Sequence, residues 1–345
     1  MKVLVTGAAG FLGGHLVDML VERGDEVRAM VRPVEDVSYL RTLPGVEIVH
    51  GDLTNETSLK KAVQGVQRVY NVAAKTGPWG AESAYKAVNV WGVADLIRAA
   101  MDAGVQRIVH TSSITVYGHH LRGIVSDDHA YHTEDNPYSR TKIEGEKLIA
   151  DLVQGSGAPV VIVRPAWIYG PRDEASFGRF VARVESGKYF IIGSGQNVVP
   201  AVYVRDVAQG LIKAGDAGDH FIGRAYTLAD DRRVTQREFM DAIADTLNVP
   251  RLSLNVPFAA LYTAGRSAEL VWQGLGRRNA APPPLTTYGI TLIGGDQWFS
   301  IDKARRDLGY APQYDIYRGI AEGVRWYQQT KNGTALNKEL VAAGK

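Results

Sequence analysis

A glycine-rich turn near the N-terminus constrains this chain more than any other feature. Residues 1–6 form an apolar run that predicts a buried strand, and residues 12–23 carry apolar side chains at helical spacing. Between them stand Gly7, Gly10 and Gly13, in the spacing G-x-x-G-x-x-G. In this setting the first glycine permits the turn, the second lets backbone approach a pyrophosphate, and the third lets the helix pack closely on the strand. The turn therefore predicts a dinucleotide site at a helix N-terminus.

Strand and helix patterns alternate through the first half of the chain. Apolar runs predict further strands at residues 26–31, 46–50, 68–74 and 105–110, with helical stretches between them. Such alternation is typical of a parallel sheet that is covered by helices on both faces. We therefore predict an α/β fold of the doubly wound Rossmann type.

The length of the chain leaves room for a second region. With 345 residues it can bury a sizeable core as one large domain or two closely joined ones. We predict a nucleotide-binding domain over residues 1–170, to which residues 201–230 return. The less regular residues 171–330 are predicted to build mostly a substrate-binding region, and residues 331–345 a flexible tail.

Composition excludes several classes of protein. The chain has no cysteine, which excludes disulfides and thiolate chemistry, and its formal net charge of +2 gives no reason to expect a nucleic-acid partner. No apolar run reaches the roughly 18 residues of a membrane span, so we predict a cytoplasmic protein. The polar loop at residues 119–135 is rich in His and Asp and includes His119 and His120, but its spacing matches no metal-ligand pattern. We predict a solvated loop there and no metal.

The end of the second predicted strand bears on the cofactor. This position, about 20 residues beyond the glycine turn, is where a carboxylate binds the ribose of NAD or an arginine accommodates the extra phosphate of NADP. Here it is Arg32, so we predict NADP, with NAD as the alternative. Asp52, which follows the third strand, can cap the next helix or accept from the adenine amino group.

A second constellation lies at residues 136–142. Asn136 is a good N-cap and Pro137 a good first helical residue, so Tyr138 and Lys142 fall one turn apart on the same helix face. An ammonium beside a phenol stabilises the phenolate, so we expect it to lower the pKa of the tyrosine and to allow proton exchange with an alcohol or carbonyl.

These motifs, in this order, resemble the short-chain dehydrogenase/reductase superfamily in its extended form. The resemblance is carried by residues 7–13, 52–53, 71–74, 89–92, 111–113, 116–118, 138–142 and 164–171. It implies that Tyr138 is the acid/base, that Lys142 binds the nicotinamide ribose and tunes Tyr138, and that Ser113 holds the reacting oxygen. Ser112 and Thr111 are the nearby substitutes for Ser113.

The same resemblance implies a set of cofactor contacts. Asn89 becomes a support for the active-site strands, and residues 165–168 a wall beside the nicotinamide ring. The implied cofactor-binding residues are Gly7, Gly10, Phe11, Leu12, Gly13, Arg32, Asp52, Leu53, Ala73, Ala74, Lys75, Asn89, Tyr138, Lys142, Pro165 and Ile168.

Within the superfamily the chain looks most like the 3β-hydroxysteroid dehydrogenase branch, with dihydroflavonol reductases as neighbours. Residues 75–80, 111–114, 299–304 and 308–312 carry that likeness. Val199 stands where relatives acting on nucleotide-sugars generally keep an arginine, which counts against an epimerase or dehydratase. Arg32 is not the residue type expected of the NAD-using steroid enzymes at this position.

The branch implies interconversion of a secondary alcohol and a ketone on an apolar, ring-containing substrate. The alternatives are a nucleotide-sugar epimerase/dehydratase and a non-catalytic NADP-sensing regulator.

Two further expectations concern surfaces. Residues 257–275 have an apolar helical face, for which we favour an ordinary core helix over a pocket lid or a helix in peripheral contact with a membrane. The resemblance also implies a homodimer through the helices at residues 85–103 and 137–153.

Overall fold

A computed structural model describes residues 1–118, 121, 123–133, 136–277 and 281–343, with side chains up to residue 332. The strands are β1 (Lys2–Thr6), β2 (Glu26–Val31), β3 (Val46–His50), β4 (Arg68–Asn71), β5 (Arg107–Thr111), β6 (Ile124–Val125), β7 (Val160–Pro165), β8 (Trp167–Tyr169), β9 (Ile191–Ile192), β10 (Ala201–Tyr203), β11 (Ala225–Leu228), β12 (Asn255–Val256) and β13 (Trp298–Phe299). The α-helices are α1 (Phe11–Glu22), α2 (Glu56–Ala62), α3 (Glu82–Lys86), α4 (Gly92–Asp102), α5 (Pro137–Ser156), α6 (Phe177–Glu185), α7 (Val204–Asp216), α8 (Gln236–Leu247), α9 (Phe258–Gly274), α10 (Thr287–Gly294), α11 (Asp302–Leu308) and α12 (Ile316–Ala343).

A seven-stranded parallel sheet organises the molecule, in the order β3-β2-β1-β4-β5-β7-β11. Successive residues of a strand point to opposite faces of a sheet. In β1, Val3 and Val5 join a core with α1 and α7, whereas Leu4 joins a second core with α2, α4 and α5. Helices thus cover both faces, which confirms the predicted doubly wound α/β fold.

The chain returns to this sheet after it has left it. Helix α7 packs against α1, and β11 pairs with β7 at the edge of the sheet. Helix α7 begins at Val204, directly after residues 201–203, which pair with β8 as strand β10. The proposed boundaries at residues 170, 201 and 230 remain a prediction.

Two elements differ from their predicted form: one strand is shorter, and one helix is interrupted. Strand β4 ends at Asn71 rather than at residue 74, because the backbone N–H groups of Val72 and Ala73 turn to the Thr6 hydroxyl at 3.1 and 3.0 Å. The long helix predicted over residues 85–103 is interrupted by a π-helical turn, Ala87–Trp91, between α3 and α4. Both departures lie beside the carboxyl ends of the sheet strands.

The remaining helices α6, α8, α9, α10 and α12 form a smaller lobe beside the sheet's carboxyl edge. Helix α9 packs against α10, but only Gly265 and Glu269 are buried along it. Leu270 and Val271 are 53% and 55% exposed. The expectation of an ordinary core helix at residues 257–275 is therefore wrong, because its apolar stripe is wider than the surface that α10 offers. No helix in the described part of the chain has the length and apolar character needed to cross a membrane.

Candidate active site

The glycine turn is closed by contacts that only glycine permits. Gly7 has a φ of +65°, and a Cβ on it would lie 3.0 Å from the backbone of Ala73. A Cβ on Gly13 would lie 2.0 Å from the Gly7 carbonyl oxygen, and one on Gly10 would lie 3.1 Å from the same atom. Gly10 is the N-cap of α1 and offers no side chain to its first turn. The first-turn amides are left for a ligand, which fits a bound phosphate group.

A cavity of about 640 Å³ runs from this turn along the carboxyl edge of the sheet. Thr111 also lines the cavity, and its buried hydroxyl oxygen has no hydrogen-bond partner among the described residues. The cavity brings together nearly all of the predicted site residues: Gly7, Gly10, Phe11, Leu12, Gly13, Arg32, Asp52, Leu53, Ala73, Ala74, Lys75, Ser113, Tyr138, Lys142, Pro165 and Ile168.

Asn89 is the predicted contact that does not line the cavity. The π-helical turn directs its amide at the loop after β4, where Oδ1 accepts from the Lys75 N–H at 2.9 Å. Its Nδ2 donates to the Lys75 carbonyl at 2.9 Å and to the Thr141 hydroxyl at 3.1 Å. Asn89 therefore supports the cavity wall from behind, since its whole amide is used by protein groups.

One end of the cavity is polar and lies beside β2 and β3. Arg32 lines it together with Glu35, whose Oε1 accepts from the Arg32 Nε and Nη2 at 3.0 and 2.9 Å. Asp52 is held by Thr54, whose N–H and hydroxyl donate to Oδ1 at 2.8 and 2.7 Å. The guanidinium that we predict to select the cofactor thus already has a carboxylate partner, and the sequence reading missed Glu35.

Helix α5 presents the predicted acid/base at the other end. Asn136 caps the helix by accepting from the Ser139 N–H at 2.8 Å, and Pro137 occupies its first turn, as predicted. Tyr138 lines the cavity beside Ser113. Burial raises the pKa of Tyr138 to about 12, and the nearby Ser113 hydroxyl opposes that rise. The phenol is therefore protonated at neutral pH.

Lys142 lies one turn further along the same face and is buried. Its ammonium donates to the Thr111 carbonyl at 2.8 Å and sits 5.8 Å from the centre of the Tyr138 ring. Burial lowers the pKa of Lys142 to about 8, and Glu146 opposes the fall. The expected lowering of the Tyr138 pKa by this ammonium is wrong, because desolvation dominates the pKa of both groups.

A buried ion pair between Arg164 and Glu146 lies behind Lys142, and its sequence signal is a Glu one turn beyond Lys142 on the same helix. Glu146 Oε2 accepts from the Arg164 Nη2 at 2.5 Å and from the Tyr131 hydroxyl at 2.9 Å. The Ser112 hydroxyl donates to Glu146 Oε1 at 2.5 Å. Ser112 also lines the cavity, but its hydroxyl is occupied by Glu146, which favours Ser113 over its neighbour as the residue that contacts a substrate.

The smaller lobe supplies two lining residues that sequence reasoning missed. Tyr288 and Leu292 lie four residues apart on α10 and both face the cavity. Burial raises the pKa of Tyr288, and the Tyr138 and Tyr85 phenols add to the rise. The helical spacing of these two residues was visible in the sequence, but nothing in it showed which structure the face would pack against.

The predicted solvated loop is only partly described. His119 and His120 lie outside the described residues, as do Glu134 and Asp135. Within the described ranges, no three His, Cys, Asp or Glu side chains form a group that could hold a metal ion.

Comparison with known proteins places this geometry in a family. Residues 3–229 match the NAD dependent epimerase/dehydratase family. The chain is 33% identical over 327 residues to the 2-alkyl-3-oxoalkanoate reductase of Stenotrophomonas maltophilia, covering 93% of this chain and 97% of that protein. It is 30% identical over 362 residues to a 3 beta-hydroxysteroid dehydrogenase/Delta 5-->4-isomerase of Mycobacterium tuberculosis, covering 98% and 94%.

A solved structure shares the fold at lower identity. UDP-glucuronic acid 4-epimerase from Bacillus cereus, in complex with NAD, superposes with a TM-score of 0.76 and 23% identity, covering 96% of this chain and 99% of that one. The family match and the identities to the relatives lead to one conclusion: the chain belongs to the NAD dependent epimerase/dehydratase family, the extended form of the short-chain dehydrogenase/reductases, and is an enzyme of that family.

Proposed function

We propose that this protein transfers hydride reversibly between the nicotinamide of NADP(H), with NAD(H) as the alternative, and a secondary alcohol or ketone on an apolar, ring-containing substrate. The observation that carries the proposal is the convergence of the glycine turn, Ser113, Tyr138 and Lys142 on one cavity. A dinucleotide bound at the glycine turn can reach the Tyr138 phenol only if the turn and the phenol line one continuous cavity, and they do.

Ser113, Tyr138 and Lys142 have different roles in the proposed hydride transfer. The nicotinamide, when bound, supplies or accepts the hydride. Ser113 and Tyr138 donate hydrogen bonds to the substrate oxygen, and the protonated Tyr138 delivers the proton during ketone reduction. Lys142 holds a positive charge beside them until the pH rises through about 8.

The cofactor is held mainly by backbone and small residues in this proposal. Arg32 faces the extra phosphate of NADP, Asp52 the adenosine, and Lys142 the nicotinamide ribose. The wall is completed by Gly7, Gly10, Phe11, Leu12, Gly13, Leu53, Ala73, Ala74, Lys75, Pro165 and Ile168. The predicted homodimer and cytoplasmic location also remain part of the proposal.

The substrate end of the cavity supports an apolar molecule. Ile114, Trp167, Tyr288 and Leu292 line it. Two relatives match this chain over almost their whole length, and they are named for a 2-alkyl-3-oxoalkanoate and for a 3 beta-hydroxysteroid. Both names describe an oxygen function on a largely hydrocarbon body. We extend that substrate character to this chain.

The test is to mix the protein with NADPH or NADH and a panel of ketones that includes steroids, and to follow nicotinamide absorbance. Tyr138→Phe removes the proton donor, so turnover should fall by about 100- to 10,000-fold. Cofactor affinity, measured by fluorescence titration, should stay nearly unchanged. The control is Tyr317→Phe on α12, a half-exposed tyrosine that does not line the cavity.

Three outcomes would contradict the proposal. Unchanged turnover in Tyr138→Phe would remove the assigned acid/base. Epimerisation of a nucleotide-sugar without added coenzyme would establish the epimerase alternative. Tight NADP binding without turnover of any ketone or alcohol would indicate the regulatory alternative.

A further inference from the structure

Two buried cations share one buried carboxylate behind the active site. Lys142 is 2% exposed, and the Arg164 side chain on β7 is 6% exposed. The Glu146 side chain, one turn beyond Lys142 on α5, is fully buried and interacts with both cations. A buried charge is stable only where an opposite charge and hydrogen bonds compensate for lost hydration. The ionisation of Lys142 therefore depends on how the Glu146 charge is shared.

The contact between Glu146 and Arg164 is the closer of the two. The Arg164 Nε donates to Oε1 and Oε2 at 3.0 and 3.1 Å, and Nη2 donates to Oε2 at 2.5 Å. The Lys142 ammonium instead donates to the Thr111 carbonyl at 2.8 Å and makes no ion pair with a carboxylate among the described residues. Glu146 therefore acts on Lys142 at longer range, through its charge.

The other titratable groups around Lys142 supply no negative charge. Tyr138 is protonated, because burial raises its pKa to about 12. His110 on β5 is neutral, because burial and the Lys142 charge lower its pKa well below the ordinary value. Burial lowers the pKa of Lys142 to about 8, and the Glu146 charge is what opposes that fall. Without Glu146, Arg164 would keep its proton, so Lys142 would be the group to lose one at lower pH.

The same carboxylate holds the end of the strand that precedes Ser113. The Ser112 hydroxyl donates to Glu146 Oε1 at 2.5 Å. Ser113 follows directly, and its hydroxyl oxygen accepts from the Thr115 N–H at 3.2 Å. Glu146 thus contacts the neighbour of Ser113 and stands one helical turn from Lys142, so it reaches toward both residues that flank the proton donor.

The loop after β6 completes the surroundings of the ion pair. The Tyr131 hydroxyl donates to Glu146 Oε2 at 2.9 Å. The Arg164 Nη1 donates to the Tyr117 hydroxyl at 2.7 Å and to the Asp127 carbonyl at 3.1 Å. Every guanidinium nitrogen of Arg164 and both carboxylate oxygens of Glu146 are therefore used by protein groups. The pair is not arranged to bind a ligand, and its effect on the active site passes through its neighbours.

We propose that Glu146 is a positioning residue that keeps Lys142 positively charged beside Arg164 and fixes Ser112 so that Ser113 faces the substrate. Glu146 itself does not line the cavity. The inference rests on the proposed function for the roles of Lys142 and Ser113, but the balance of the three buried charges depends only on the protein. Loss of Glu146 leaves two buried cations together, whereas loss of Arg164 leaves the carboxylate to Lys142 alone. The two losses therefore have opposite effects on Lys142.

The test follows the titration of Lys142 by NMR, in protein without cofactor whose lysines carry ¹³C at the ε carbon. The Lys142 signal is assigned by its absence from Lys142→Met. Glu146→Gln keeps the size of the side chain and an acceptor oxygen, and it should lower the pKa of Lys142 by about one unit or more. Arg164→Met should raise that pKa by a similar amount. The control is Glu144→Gln, which removes an exposed carboxylate paired with Lys86 on the same helix and should leave the Lys142 pKa nearly unchanged.

A double variant provides the same comparison if Glu146→Gln alone does not fold. Glu146→Gln/Arg164→Met has no unpaired guanidinium, and its Lys142 should titrate at lower pH than Lys142 in Arg164→Met. Equal Lys142 pKa values with and without the Glu146 charge would overturn the inference. So would shifts in the same direction in Glu146→Gln and Arg164→Met, because lost packing rather than charge would then be their cause.

Kinetics separate this inference from the proposed function. If hydride transfer needs a charged Lys142, the alkaline limit of kcat/KM should move with the Lys142 pKa, downward in Glu146→Gln and upward in Arg164→Met. A pH profile that stays fixed while the NMR signal shifts would overturn the role of the Lys142 charge in the proposed function and leave the charge balance standing.

The contact with Ser112 is tested on its own. Ser112→Ala keeps the Glu146 charge, so the alkaline limit should stay in place. Because the strand end before Ser113 loses its anchor, kcat should fall by about 3- to 10-fold. An unchanged kcat would overturn the assigned link between Glu146 and Ser113.

Discussion

The two ends of the cavity are built by different means. At the cofactor end, backbone touches backbone, because the Gly7 carbonyl fills the space beside Gly13. One short side chain supports this contact, since the Thr6 hydroxyl accepts from two backbone N–H groups. At the substrate end, α10 is held by a side chain of its neighbour, since Glu269 of α9 accepts from the N–H of Thr287 at 2.7 Å and from its hydroxyl at 2.9 Å.

This difference determines which amino-acid substitutions each end of the cavity can tolerate. Backbone contacts leave no space for a side chain, so the cofactor end admits almost no substitution at its glycines. Side-chain contacts between two surface helices can be replaced by others, so the lining from α10 can change while the sheet stays the same. Extended dehydrogenases can therefore share a cofactor cradle and differ in substrate, which agrees with function residing in sites added to a fold.

The largest expected effect comes from adding one methyl group at the cofactor end. In Gly13→Ala the new Cβ would lie 2.0 Å from the Gly7 carbonyl oxygen, and neither backbone segment can move without disturbing β1 or α1. We expect a loss of roughly 3 kcal/mol or more in the free energy of unfolding and a loss of cofactor affinity. Thermal unfolding and cofactor titration measure the two.

The matched control lies in the substrate lobe. Gly274→Ala places the same methyl group at the end of α9, where nothing lies within 4 Å. It should be neutral or stabilise by up to about 1 kcal/mol. Equal tolerance of the two substitutions would break the comparison between the two ends.

A smaller effect is expected from cutting the contact that holds α10. Glu269→Ala leaves the partly buried Thr287 N–H without its acceptor, which should cost about 1–3 kcal/mol. Because Tyr288 follows Thr287 directly, we expect KM for the ketone to rise while cofactor affinity is unchanged. Glu269→Gln keeps an acceptor oxygen and should recover part of the loss. A weakened cofactor with an unaltered KM would show that the two ends are not independent.

The features that the sequence could predict are those that depend on neighbouring residues. Strands β2 and β3 match their predicted ends, and the Asn136 cap is confirmed, because apolar periodicity and capping depend on neighbouring residues alone. The doubly wound fold follows from such local signals repeated along the chain.

Most of the failures depend on contacts between distant segments, whereas the missed Glu35 depends on the local path of a loop. The Ala87–Trp91 π-turn is a local irregularity, and its use is to bring Asn89 to Lys75 and to Thr141, 52 residues away. Tyr288 was missed, and the burial of residues 257–275 was wrong, because a helix's own pattern does not show how much partner surface it will meet. Glu35 was missed because its role depends on Arg32, three residues earlier, folding back toward it.

The smallest effect is expected from substitutions of Glu35 and Arg32, on the exposed side of the cofactor end. The Glu35 carboxylate accepts from the Arg32 guanidinium and, through Oε2, from the Arg32 N–H at 2.9 Å, so it competes with any phosphate for the same donors. Glu35→Gln should therefore raise the affinity for NADPH relative to NADH by about two- to fivefold, the range expected for an exposed ion pair. Arg32→Gln should move the ratio the other way, and fluorescence titration with both cofactors measures it. A ratio that neither substitution moves would mean that NADP and NAD are distinguished elsewhere in the cavity.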